Sequence, residues 1–148
     1  MSFKNVIFVF LLSFVFLFFN FKTTDGQQIV VKIHNLRNLK GQIILEFYNQ
    51  KKQYVDAPMA RFKKDKIEAK NDTLTFVLKG FTKGTYVAAI LDDENKNNKM
   101  DFNYLHLPLE GFGFSNNAQA TLLGKPAYEE ALFTIPDQKT VKMKVKYW

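Results

Sequence analysis

From residue 28 onward, apolar and polar side chains alternate with a period of two, and each run ends at a cluster of Gly, Asn, Asp or Lys. Residues 28–36 (QIVVKIHNL) put Ile29, Val31 and Ile33 on one side and Val30, Lys32 and His34 on the other, the period of a strand. Asn38, Leu39, Lys40 and Gly41 read as a turn, and residues 42–48 (QIILEFY) as a more fully buried strand, so the two predict a hairpin. Residues 73–78 (TLTFVL) and 85–91 (TYVAAIL) follow, each entered from a turn. The second is apolar on both faces, which predicts a central strand covered on both sides. Residues 128–135 and 140–147 complete the set, the latter with Val141, Met143, Val145 and Tyr147 inward and Lys142, Lys144 and Lys146 outward.

Between these runs the pattern weakens. Pro58 and a high charge density interrupt residues 49–66, where 57–64 predicts one helical turn or an irregular crossover; residues 67–70 predict a short edge strand. No stretch keeps a helical period and no Gly-rich phosphate turn occurs. About seven strands with turn signals between them predict an all-β antiparallel sandwich of immunoglobulin-like or transthyretin-like type. One long loop then separates the central strand from the last two strands.

The first 26 residues change the picture. Of the 16 Phe, eight (Phe3, Phe8, Phe10, Phe14, Phe16, Phe18, Phe19 and Phe21) lie there, around an apolar run over residues 6–19 that follows Lys4 and precedes a polar exit. That run has the length of a signal h-region and is shorter than the roughly 20 residues that span a bilayer. Residues 1–26 are therefore expected to be a signal peptide, with Thr24-Asp25-Gly26 offering small residues at the cleavage point. Residues 27–148 are expected to form a single β-sandwich domain, exported to the periplasm or the extracellular space, with no stable membrane span once the signal is removed. The absence of Cys excludes disulfides and a thiol-linked lipid anchor, so the core must hold the domain unaided. The net charge of +7 is spread rather than gathered into a patch, and an exported sandwich without basic-aromatic interleaving is not expected to bind nucleic acid.

The candidate chemistry sits after the central strand. With Asp93 as position 1, the residues Asp93, Asn95, Asn97, Lys99 and Asp101 fall on positions 1, 3, 5, 7 and 9 of a calcium loop, Lys99 giving only its backbone carbonyl. Alternate residues of a curled loop turn their oxygens to one centre, and Asn98 stands where a sharp turn with positive φ is needed. Position 12 is Tyr104 instead of a bidentate Glu, so Glu110, or the side chain of Asn103, is the candidate to complete the shell after the chain folds back across Pro108. Starting from Asp92 would put Lys96 at a ligand position, which leaves one workable register. The same residues also suit an ordinary turn, since Asp and Asn bond nearby backbone and tolerate left-handed geometry. Calcium, in a structural role, is the expected cofactor.

The run GTYVAAILDDENKNNKMDFNYLHLPLEGFGFSNNA resembles the bacterial family called domain of unknown function 2141. The resemblance rests on Gly84 and Tyr86 in a strand, the acidic Asn-rich loop from Asp93 to Asp101, and Pro108, Glu110, Gly111, Gly113, Phe114, Ser115 and Asn116. It implies a signal-bearing protein of a kind common in Bacteroidetes-type bacteria, and it carries no activity. The family's Asn-Gly in the loop is Asn97-Asn98 here, and its Gly-Ile-Pro is His106-Leu107-Pro108.

Phe112 and Phe114, set among glycines and followed by Ser115 and Asn116, form a candidate binding surface for a sugar ring or peptide, although apolar rings are more often core. Ser115 lacks a nucleophile-elbow frame, and His34 and His106 are too few for a zinc site. The expected function is a non-catalytic envelope module with a calcium-stabilised acidic loop that meets an envelope protein or glycan. The alternative is a small secreted hydrolase of glycans or esters that uses carboxylates of the same loop.

Overall fold

The structure is a computed structural model and describes residues 26–121 and 124–148. The expected signal peptide, residues 1–26, lies outside the described residues apart from Gly26. Among the described residues, eight strands form two sheets. In the smaller sheet β1 (Gln27–His34) lies between β4 (Thr73–Phe81) and β8 (Thr140–Lys144). In the larger one β3 (Ala60–Asp65), β2 (Gln42–Tyr48), β5 (Gly84–Asp93) and β6 (Gly111–Phe114) stand in that order. The short β7 (Phe133–Ile135) pairs the start of β5, on residues Gly84 to Tyr86, while β6 pairs its end. Every pairing is antiparallel except β1 with β8, which is parallel.

The period-two pattern fills the space between the sheets. Ile29, Val31, Ile33, Leu74, Phe76, Val141 and Met143 from one side meet Ile43, Leu45, Phe47, Tyr86, Ala88 and Ile90 from the other, all buried. Phe47 anchors this layer, edge-on to Phe62, Phe81 and Phe133 at centroid distances of 6.0, 4.7 and 6.5 Å. The outer face of the larger sheet is also covered at one end, where Tyr48, Val87, Ala89 and Phe114 pack against Tyr54, Ala120 and Ala131. The central position of β5, apolar on both faces, follows from these two layers.

Four local expectations are corrected. Residues 28–36 and 42–48 do not form a hairpin; β1 and β2 belong to opposite sheets, because the link between them crosses the end of the sandwich instead of reversing within one sheet. Residues 57–64 run into β3 from Ala60 onward, and its alternation of Ala60, Phe62 and Lys64 against Arg61, Lys63 and Asp65 is hidden in the sequence by lysine stems. The edge strand expected at 67–70 is a 3-10 turn, Lys66–Glu68, with Ile67 exposed. Residues 128–135 are strand only from Phe133. Before it, Tyr128–Ala131 form a 3-10 turn in which the Glu130 carboxylate accepts the Ala127 N–H.

The two sheets are joined where the chain past β8 meets β6. Phe112 and Lys146 exchange two backbone hydrogen bonds of 3.0 and 2.7 Å. Gly111 and Gly113 are therefore not turn residues. A methyl on Gly113 would stand 2.6 Å from the Lys144 carbonyl oxygen, and one on Gly111 would stand 2.4 Å from Val145 and Tyr147. Glycine lets this strand lie against the last segment. Gly113→Ala is expected to lower unfolding free energy by about 2 kcal/mol in urea titration, because the backbone it meets cannot turn aside. An unchanged midpoint would show that the junction yields.

Candidate functional site

β5 ends on two carboxylates that its pleat sends to opposite faces, and both are fully buried. Asp92 points into the sandwich. The ammonium of Lys66, itself without exposure, lies 2.5 Å from its Oδ1, and the Tyr147 hydroxyl donates to its Oδ2 at 2.5 Å. Lys66 also donates to Asn38 Oδ1 at 3.0 Å. The Tyr147 hydroxyl accepts the Arg37 N–H at 3.0 Å, and the Arg37 guanidinium lies 4.6 Å from the centre of its ring. Arg37 in turn forks onto Glu94 with bonds of 2.7 and 3.0 Å. Burial pushes the Asp92 carboxyl up, against the opposing pull of Lys66 and Tyr147. The Arg37 bond, with help from the Asn38 amide, holds Glu94 below its ordinary range. These groups fasten the 35–41 link, the Lys66–Glu68 turn and the chain end to the tip of β5. Gly41 allows the approach: its φ is +76°, and a methyl there would stand 2.2 Å from the Asp93 carbonyl oxygen.

Asp93 points the other way, into the acidic loop. Its Oδ1 accepts the Asn97 N–H at 3.0 Å, and its Oδ2 accepts the Asn98 N–H at 3.0 Å and the Gln42 amide at 2.7 Å. The next turns tighten in the same way. Asn95 Oδ1 accepts the Asn97 N–H and Asn97 Oδ1 accepts the Lys99 N–H, both at 3.0 Å. Lys96 and Asn98 take positive φ. The amides of Asn95 and Asn97 both donate to Asp101 Oδ2, at 2.7 and 2.8 Å. Glu110, buried as β6 begins, accepts the Glu94 N–H at 3.0 Å and the Asp101 N–H at 3.2 Å, closing the base of the loop. Burial pushes its carboxyl up, and Asp101 and Asp93 push the same way, against the two backbone donors.

The structure thus brings Asp93, Asn95, Asn97, Asp101 and Glu110 into one bonded loop, with Lys99 exposed and its N–H held by Asn97. It spends their oxygens on the loop's own N–H groups. Among the described residues no group of three or more His, Cys, Asp or Glu is arranged to hold a metal ion. A cation here would draw on amide and backbone oxygens beside Asp93 and Asp101.

The aromatic segment divides. Phe112 is half-buried and stacks on Trp148 at 6.5 Å, while Phe114 is buried beside Tyr54. Ser115 has no exposure; its hydroxyl accepts the Ala88 N–H at 2.9 Å and donates to the Ala131 carbonyl at 2.5 Å. Asn116 donates to the Leu132 carbonyl at 2.6 Å, and Asn117 accepts the Lys144 N–H at 2.8 Å. Of the four residues expected to form a binding surface, Phe114, Ser115 and Asn116 instead tie three elements together, because a hydroxyl and amides at a chain reversal satisfy backbone groups that would otherwise be stranded.

Beside Phe112 a groove of about 610 Å³ opens on the outer face of the larger sheet. Ile44, Ala89, Leu91 and Phe112 of the sheet line it, together with Met100, Phe102 and Pro108 of the acidic loop and with Lys125 and Trp148. Within it Glu46 pairs with Arg61 and accepts the Tyr48 hydroxyl. The loop tip beyond exposes Phe102, Tyr104, Leu105 and Leu109. Neither this groove nor the Lys66–Asp92 pair was found from sequence. The usable signal was Tyr147, since an inward tyrosine hydroxyl needs a partner.

Fold and site together define a two-sheet β-sandwich whose central strand ends in an internally bonded acidic loop. Residues 31–144 match the family described as an uncharacterized protein conserved in bacteria, DUF2141, and the chain belongs to that family. No curated protein and no solved structure matches it. No helix among the described residues is long and apolar enough to cross a membrane.

Lys66→Met leaves a buried carboxylate alone and is expected to cost about 3–5 kcal/mol in urea unfolding near neutral pH, with the penalty shrinking in acid as Asp92 takes up a proton. The double change Lys66→Met with Asp92→Leu is expected to recover much of that loss, and an equal loss in the double variant would contradict the pairing. Glu94 behaves oppositely. Its lowered carboxyl stabilises the fold fully above its ordinary value of 4.5 and loses that contribution as pH falls through the lowered one. The stability gap between the native protein and Arg37→Ala, about 1 kcal/mol after solvent screening, is expected to be flat above about pH 5 and to close below about pH 4. A gap that widens in acid would contradict this.

Proposed function

We propose that this chain is an exported, non-catalytic binding module of the bacterial envelope, which holds an envelope protein or glycan on the outer face of its larger sheet, with calcium tightening the acidic loop that walls that face. The groove beside Phe112 carries the reading: an apolar floor on a rigid sheet, opened to solvent and bounded by a loop whose backbone is held from inside. Phe112 and Trp148 supply flat faces there. The loop's carboxylates support binding over hydrolysis, because Asp93 and Glu110 are buried, engaged with backbone donors and not among the residues that line the groove. A general acid or nucleophile has to face its substrate. Calcium suits the stepwise Asn and Asp turns from Asp93 to Asp101, in which Asp93 Oδ1, Asn95 Oδ1 and Asn97 Oδ1 each keep a second lone pair after accepting one N–H.

Two measurements test this reading. Millimolar calcium is expected to raise Tm by several degrees and magnesium by less, with the rise lost in a variant carrying Asp93→Ala and Asp101→Ala. Identical melting curves in calcium, magnesium and chelator would remove the ion. Turnover on a panel of glycans or esters, abolished by Glu110→Gln, would replace the binding module with the hydrolase.

A further inference from the structure

The groove's polar atoms limit what it accepts. The one acidic side chain that lines it, Glu46, is already neutralised by Arg61 and capped by the Tyr48 hydroxyl. Two ammonium groups on its rim have no carboxylate partner among the described residues. Lys99 makes no ion pair, and Lys125 donates only to the Tyr54 carbonyl, at 2.7 Å, with its charge 4.9 Å from the centre of the Tyr54 ring. Both are exposed and both line the groove, Lys99 from the acidic loop and Lys125 from the segment after Gly124. Most of the other lining residues are aliphatic or aromatic.

An apolar trough with unanswered positive charge at its rim complements a ligand with an apolar body and a single negative head. We propose that the groove binds a single-chain amphiphilic carboxylate, a free fatty acid of medium length, with the acyl chain along Leu91 and Phe112 and the carboxylate between Lys99 and Lys125. The volume lies within the range of small-molecule sites. An anionic head meets net attraction there, whereas a cationic head meets two like charges in a partly desolvated place. This assignment rests on the reading of the groove as the binding face and goes beyond it, giving the groove an amphiphilic carboxylate as ligand in place of a protein or glycan.

The chain carries a built-in reporter, because its single Trp is Trp148 at the groove's edge. Three probes share a twelve-carbon tail and differ in head: dodecanoate, dodecyl maltoside and dodecyltrimethylammonium. Each is titrated below its micelle concentration while Trp148 emission is followed. Dodecanoate is expected to give a saturable shift with a Kd at least tenfold below that of the cationic probe. Lys99→Glu and Lys125→Glu, both at exposed positions, are expected to weaken dodecanoate at least tenfold together, with the circular dichroism spectrum unchanged. Equal affinity for all three heads, or dodecanoate binding untouched by the two charge reversals, would overturn the carboxylate assignment while leaving the groove a binding surface. No saturable response to any probe would overturn the assignment, and the calcium and turnover measurements would still decide the broader reading separately.

Discussion

The buried charge at the end of β5 is the constraint on which the rest depends. A lysine and an aspartate, both without exposure, meet at 2.5 Å beside a largely apolar core, with a tyrosine hydroxyl on the carboxylate's other oxygen. Removing either charge from water is expensive unless the partner is held in place. The holding falls to Asn38, Arg37 and Tyr147, which come from the first interstrand link and from the chain's last residues. Elements far apart in sequence are thereby pinned to one point, and without Cys no covalent link can do this instead.

From that point the acidic loop is built outward. Asp93 and Glu110 accept four backbone N–H groups between them, at Glu94, Asn97, Asn98 and Asp101. Those bonds fix where the loop leaves the sheet and where it returns, and so place Met100, Phe102 and Pro108 over the groove. The glycines of β6 are the matching constraint on the other side. They let β6 lie close enough to the last segment for Phe112 to pair with Lys146 and for Trp148 to stack on Phe112. Fold, loop and groove are consequences of one packed corner.

The sequence made the sandwich legible because alternating apolar residues leave little choice of period, and it marked β5 as central because both faces of 85–91 are apolar. The loop was legible too, since Asp and Asn at alternate positions have a narrow range of structural uses. Pairing was harder to read. Whether residues 28–36 and 42–48 form a hairpin or cross between sheets depends on contacts beyond the turn, and β3 was concealed because Lys63 and Lys64 look alike in sequence while only Lys64 is half-buried, its ammonium 6.0 Å from the centre of the Phe76 ring. Lys66 sits in the most charged stretch of the chain, where a buried lysine has no signature of its own. Ser115 looked like a candidate contact because composition does not reveal which hydroxyls satisfy backbone from within.

The most direct measurement of the central claim is amide hydrogen exchange at Glu94, Asn97, Asn98 and Asp101 in metal-free protein. If Asp93 and Glu110 hold the loop, these four N–H groups exchange slowly, with opening free energies close to those of the β5 amides, while Tyr104 and Leu105 at the exposed tip exchange fast. Exchange at all four positions at the rate of an unstructured peptide, with β5 still protected, would contradict the account.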